Sequence, residues 1–175
     1  LADHIKDLIE IGVKHLKVEG RMRGTYYIAT VISCYRNLID AYYNNNWTKS
    51  NLERNLKLLS RVANRESTSQ YFMKEATYKD QYYLDRMEVS NQDFLGLILD
   101  YDEKTSLATI EQRNYFKVGD KVNIFGPEKC DFDFEITEIL NENDEKIEIA
   151  RHPKEILKIK VPKHVTKDSM MRVQI

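Results

Sequence analysis

Two periods divide the chain. In its first third apolar residues recur at helical spacing, and in its last half they alternate. Ile5, Leu8, Ile9 and Ile11 mark one side of a short helix, with Asp3 as its cap and Gly12 as its stop. Leu16-Lys17-Val18 reads as a short strand. Tyr27, Ile28, Val31, Ile32, Tyr35, Leu38, Ile39 and Tyr42 then keep to one face of a long helix over residues 25–43, ended by Asn44-Asn45-Asn46. Leu52, Leu56, Leu59 and Val62 predict a further helix before Asn64.

The order is helix, strand, helix. A lone strand cannot satisfy its backbone or cover its faces, because parallel strands need neighbours on both sides. The strand is therefore expected to be one stave of a larger α/β sheet, and the chain reads as the C-terminal part of a longer protein. The apolar face of helix 25–43 must then pack on the connector and barrel or drive self-association.

From residue 93 the period is two. Predicted strands are Phe94–Tyr101, Ser106–Arg113, Lys121–Phe125, Phe132–Leu140, Lys146–Ala150, Leu157–Val161 and Met170–Ile175. Turn residues separate them, among them Val118-Gly119-Asp120 and Gly126-Pro127. Six or seven short strands with no helix between them predict a small antiparallel β-barrel. The fold class is α+β. Residues 1–63 are the α/β remnant, 64–92 a polar, extended connector (Ser67-Thr68-Ser69-Gln70, then Tyr82-Tyr83), and 93–175 the barrel.

Composition changes this picture little. The 175 residues are 42% hydrophobic and 31% charged, with a net charge of −1, so no global field recruits nucleic acid or anionic lipid. Residues 1–90 carry 14 Lys+Arg against 11 Asp+Glu (+3), and residues 91–175 carry 13 against 17 (−4). No run approaches the roughly 20 apolar residues of a membrane helix, and the amphipathic start Asp3-His4-Ile5-Lys6 is no signal peptide. Two distant cysteines, Cys34 and Cys130, fit a reducing cytoplasm without a disulfide framework.

Candidate chemistry is sparse. Cys34 falls on the long helix and reads as a buried inert thiol, and Cys130, after Lys129 in a turn, as an exposed incidental one. His152-Pro153 reads as a turn. No catalytic triad order, phosphate loop or metal-ligand spacing occurs, so the chain holds no complete catalytic set and no metal site of its own. Lys158, Lys160, Lys163, His164 and Lys167 form either a basic stripe or an ordinary solvated strand face.

Two stretches carry a resemblance. "HIKDLIEIGVKHLKVEGRMRGTYYIATVISCYRNLIDAYY" resembles the last βα unit of the catalytic domain in the U32 peptidase (collagenase-like protease) family, where a lysine, a β-branched residue and EGR precede a tyrosine-rich helix. "FLGLILDYDEKTSLATIEQRNYFKVGDKVNIFGP", with "DFEITEI" and "HPKEILKIKV" after it, resembles that family's C-terminal β-barrel domain. The resemblance implies a (β/α)-barrel catalytic domain, mostly upstream, and a small barrel similar to those of translation factors. It implies peptidase activity, or hydroxylation of uridine in transfer RNA or cytidine in ribosomal RNA. The iron–sulfur cysteines of relatives would lie upstream, so neither Cys34 nor Cys130 inherits them. Around residues 70–74 this chain has Gln70 and Lys74 where the family shows glycines about an aromatic residue, and the resemblance leaves the connector's path open.

Active sites of α/β barrels form at the C-terminal ends of their strands, which is where Glu19 and Arg21 stand. In the full-length protein these two are the expected catalytic pair, with Lys17, Arg23 and Tyr26 binding substrate. Alternation aims Lys17 and Glu19 to one side. Tyr26 and Tyr27 either stack on a base or peptide or pack in the core. The partner is a protein or peptide substrate, or RNA. The small barrel is then an accessory module that positions a protein, docks RNA, or serves interaction alone. Without the upstream part the chain is expected to be inactive.

Overall fold

A computed structural model describes residues 1–63, 69, 71–75, 77–80 and 92–175. They fall into two compact units, Leu1–Ser90 and Asn91–Gln174. Most of the connector predicted at 64–92, including Arg65, Gln70 and Tyr82-Tyr83, lies outside the described residues.

The first unit has three helices: α1 (Ile5–Glu10), α2 (Thr25–Tyr43) and α3 (Lys49–Val62). Gly12, at φ 89°, ends α1. Its N–H donates to the Ile9 carbonyl, and that of Val13 to the Leu8 carbonyl, both at 3.0 Å. Asn45, at φ 54°, does the same for α2, with Asn46 N–H donating to Ala41. In both, a left-handed residue lets the chain turn back and occupy the last helical carbonyls. At the start of α3 the Thr48 hydroxyl accepts from Asn51 N–H at 3.1 Å. Removing this cap by Thr48→Ala is expected to cost about 1 kcal/mol in a denaturant melt, whereas an unchanged midpoint would show the cap to be idle.

Ala2, Ile5, Leu8 and Leu38 form the core of this unit, with Tyr35, Ile39, Trp47, Leu52 and Phe72 packed around them. Val31, Cys34, Leu38 and Ala41 along α2 are buried, Cys34 to 1% exposure, so this face finds cover within its own unit. The expected strand Leu16-Lys17-Val18 is not formed. Residues 13–20 carry no regular structure and no described strand pairs with them, because a strand exists only with a neighbour to share its hydrogen bonds. One consequence is an apolar groove of about 470 Å³ lined by Val13 and Leu16 on this segment and Ile32 and Tyr43 on α2. Ile32 remains 50% exposed. Concentration-dependent self-association of the chain is expected, reversed by Ile32→Glu. A chain that sediments as a monomer at every accessible concentration contradicts this.

The second unit is antiparallel β-structure. Its strands are β1 (Phe94–Asp102), β2 (Leu107–Gln112), β3 (Phe116–Lys117), β4 (Lys121–Phe125), β5 (Asp131–Glu135), β6 (Ile139–Leu140), β7 (Lys146–Ile147), β8 (Ile149–Ala150), β9 (Ile156–Lys160) and β10 (Met170–Val173). Eight join in one sheet in the order β5-β4-β10-β1-β2-β9-β6-β7, while β3 pairs with β8. Two expectations are corrected here. There are more and shorter strands than six or seven, and the edge strands β5 and β7 are not hydrogen-bonded to each other, so no closed barrel forms among the described residues. The sheet nonetheless wraps one core, in which Ile98, Ile110, Phe116, Ile139, Leu157 and Ile159 are fully buried. Gly96 lies on the central strand β1, where an added Cβ would come within 2.6 Å of Ile110 Cγ1 and 3.0 Å of the Glu111 carbonyl. Only glycine admits that approach.

A polar ladder crosses β5, β4 and β10. Asn123 Nδ2 donates to Asp131 Oδ1 at 2.8 Å and Asp133 Oδ1 at 2.7 Å, and its Oδ1 accepts from Arg172 Nε at 2.8 Å. Arg172 is 1% exposed, its guanidinium 4.0 Å from the centroid of Phe125. Among the described residues no helix is long and apolar enough to cross a membrane.

Candidate functional site

Gly20 is where the extended segment meets α2. A Cβ there would lie 2.8 Å from Ile28 Cδ1, so glycine lets the backbone rest directly on the helix. Arg23 N–H donates to the Gly20 carbonyl at 3.0 Å, and Met22 takes φ 63°, closing a tight turn ahead of α2. This turn sets where the charged side chains emerge.

Lys17 Nζ lies 3.0 Å from Glu19 Oε1, with 87% and 74% of the two side chains exposed. Residues two apart in an extended segment share a side, and these do. Such an exposed pair contributes only about 0–1 kcal/mol. Arg21 is exposed and makes no ion pair among the described residues. The Arg23 guanidinium sits 5.1 Å over the Tyr27 ring, which ties it to α2. Tyr26 is half-buried on the first turn of that helix. The structure thus joins Lys17 to Glu19 and Arg23 to Tyr27, and leaves Glu19 and Arg21 separately in water. A carboxylate and a free guanidinium on one turn can orient an anionic or hydrogen-bonding substrate. Nothing on the turn pairs a nucleophile with a base.

The lysine stripe of the second unit divides in two. On β9, Lys158 is bound by Asp144 while Lys160 is exposed at the strand's end; outside the stripe, Lys146 is bound by Glu138. The Glu138 carboxyl is held below the ordinary range by its hydrogen bond and charge contact with Lys146. In the loop after β9, Lys163 and Lys167 are exposed, and the structure gives neither an ion pair among the described residues. Cys130, expected to be exposed, is half-buried against the core because the turn before β5 folds it inward. Burial pushes its thiol up, opposed by a hydrogen bond with Ser169 and by Lys163. His152 is exposed in a turn. Sequence reasoning missed the aromatic neighbours of the loop: Lys163 lies 5.5 Å from the Phe132 centroid and His164 meets Tyr101 edge-on at 5.0 Å. Alternation in Asp131–Glu135 was the available signal, since it sets Phe132 and Phe134 on one face.

Among the described residues no three His, Cys, Asp or Glu side chains converge on a metal-sized site. The iron–sulfur cluster implied by the resemblance has no donor set in these residues.

Comparison with known proteins covers both units. The model for peptidase family U32 matches residues 1–82, and that for the peptidase family U32 C-terminal domain matches residues 90–172. The tRNA hydroxylation protein P1 of Bacillus subtilis is 39% identical over 172 residues, 98% of this chain and 41% of that protein. The tRNA hydroxylation protein P of Escherichia coli is 31% identical over 84% of this chain and 32% of its own length. A collagenase of Porphyromonas gingivalis is 27% identical over 70% of this chain and 34% of its own length. The crystal structure of the C-terminal domain of a Geobacillus thermoleovorans protein described as a U32 peptidase is 42% identical, with a TM-score of 0.46, over 48% of this chain and 94% of that one. The chain spans about two-fifths or less of the length of these curated relatives.

Proposed function

The chain belongs to peptidase family U32, and from that premise we propose that it works as the C-terminal part of a tRNA-hydroxylating protein, the turn at residues 17–23 serving that protein's site and the sheet unit engaging the RNA. The observation that carries this reading is the 39% identity to a tRNA hydroxylation protein over 98% of the chain, across both units. The collagenase match is weaker and shorter, at 27% over 70%. It supports the second reading, in which the same turn holds a peptide.

In the first reading Glu19 accepts a hydrogen bond from the bound nucleotide while the ion pair with Lys17 keeps it aimed. Arg21, with its planar fork of donors, takes a phosphate oxygen pair. Arg23, held on Tyr27, adds charge at the entrance.

The test is a chimera. The matching region of the B. subtilis relative is replaced by this chain, and tRNA from cells lacking the native protein is digested to nucleosides and weighed. The expected result is restored hydroxylated nucleoside and no cleavage of gelatin by the purified chimera. Gelatin cleavage without hydroxylation would select the peptidase reading. The isolated chain, whose described residues hold no metal-sized site and whose turn pairs no nucleophile with a base, is expected to turn over neither substrate, and robust cleavage abolished by Glu19→Ala would contradict that.

A further inference from the structure

Resting on the tRNA reading, we infer that the loop between β9 and β10, residues 161–169, forms with Tyr101 and Phe132 a face that binds single-stranded tRNA, its rings stacking on bases and its lysines holding the flanking phosphates.

The loop is rigidly mounted. Val161 N–H donates to the Ser106 carbonyl at 3.0 Å, Asp168 N–H to Ile98 at 2.9 Å, and Ile98 N–H to Ser169 at 2.8 Å. Val161 and Val165 are buried in the core. With those residues anchored, Lys163, His164 and Lys167 project outward. The His164 ring stands at 87° to Tyr101, and Lys163 Nζ lies over Phe132. Tyr101 and Phe132 are half-buried against the core, so ordering them costs little when a base arrives. In the turn between β4 and β5, Glu128 and Lys129 take φ 56° and 60°, and Cys130 N–H donates to the Pro127 carbonyl at 3.1 Å. That turn presents Lys129 one residue before Cys130, whose thiol is within reach of Lys163 and Ser169.

The overall charge of this half is negative, which would argue against phosphate binding if charge were evenly spread. It is not. Asp131 and Asp133 are turned to Asn123, Asp144 to Lys158, and Glu138 to Lys146. Lys129, Lys163 and Lys167 have no ion pair among the described residues. Glu103, 3.7 Å from His164 Nδ1, orients the imidazole, and two further exposed carboxylates stand on the same loop and turn, Asp168 and Glu128. Ring faces beside unengaged ammonium groups match a strand that alternates bases with phosphates. An acidic peptide would use the lysines and waste the rings.

The experiment measures fluorescence anisotropy of labelled tRNA transcript and of labelled polyglutamate with the whole 175-residue chain, over a salt series. Variants are the triple Lys129→Ala/Lys163→Ala/Lys167→Ala and the single His164→Ala, all at exposed positions and checked by melting. The triple is expected to weaken tRNA binding at least about tenfold and to flatten the slope of log affinity against log salt by about 2, as loss of three phosphate contacts requires. His164→Ala is expected to weaken binding severalfold with the slope unchanged. Unaltered tRNA binding in the triple, no tRNA binding by the chain, or polyglutamate bound as tightly as tRNA would each overturn the proposal. The chimera carrying the triple separates the two readings. Full hydroxylation by it refutes this face and leaves the tRNA function standing, whereas failure of the unsubstituted chimera refutes the tRNA function itself.

Discussion

Glu19→Ala and Arg21→Ala are each expected to leave the melting of the isolated chain nearly unchanged and, on the function proposed above, to lower tRNA hydroxylation by the full-length protein about tenfold or more. The first half follows from exposure. The Glu19 side chain is 74% exposed beside a Lys17 side chain that is 87% exposed, and Arg21 makes no described ion pair, so neither removes more than about 1 kcal/mol. The second half follows from position. Both emerge from a turn that Gly20 seats directly on α2. A side chain with no structural task in its own unit is free to serve a substrate. Melting curves of the chain and nucleoside yields from the full-length variants decide the matter. A loss of several kcal/mol in the chain, with the intact protein keeping its rate, would make the cluster structural.

Asn123→Leu is expected to be among the most destabilising single changes in the second unit, at about 2–4 kcal/mol. Asn123 is 2% exposed and bridges charges of opposite sign: its amide nitrogen serves Asp131 and Asp133, and its oxygen takes Arg172 Nε. Leucine keeps the volume but strips the buried Arg172 guanidinium of that acceptor and two carboxylates of their donor. Replacing Arg172 by Met in the same background should recover part of the loss, because it removes the buried charge. Urea titrations of the two variants measure both steps. A leucine variant as stable as the parent would show that the ladder is incidental.

The helices were legible because their signal is local. The apolar stripe from Tyr27 to Tyr42 predicts 25–43, and α2 spans Thr25–Tyr43. The predicted strand Leu16–Val18 is not formed, because a short apolar run says nothing of whether a neighbour shares its hydrogen bonds, and no described strand does. The predicted strand Phe132–Leu140 breaks into β5 and β6. Its alternation through Phe132, Phe134 and Ile136 slips phase at buried Ile139, and a phase slip of that kind flips the side chains to the other face. The charged turn at Lys17–Arg23 is contiguous and could be read directly. The face formed by Tyr101, Phe132 and the loop after β9 could not, because the fold of the sheet brings the loop against residues 31 (Phe132–Lys163) and 63 (Tyr101–His164) positions away.

The most direct test of the account is genetic. The gene encoding the full-length protein is deleted in its own host, and total tRNA nucleosides are analysed by mass spectrometry with and without the gene restored, and with the gene carrying Glu19→Ala. The account predicts that a hydroxylated nucleoside disappears on deletion, returns with the intact gene, and stays low with the variant. An unchanged nucleoside profile in the deletion strain would contradict it.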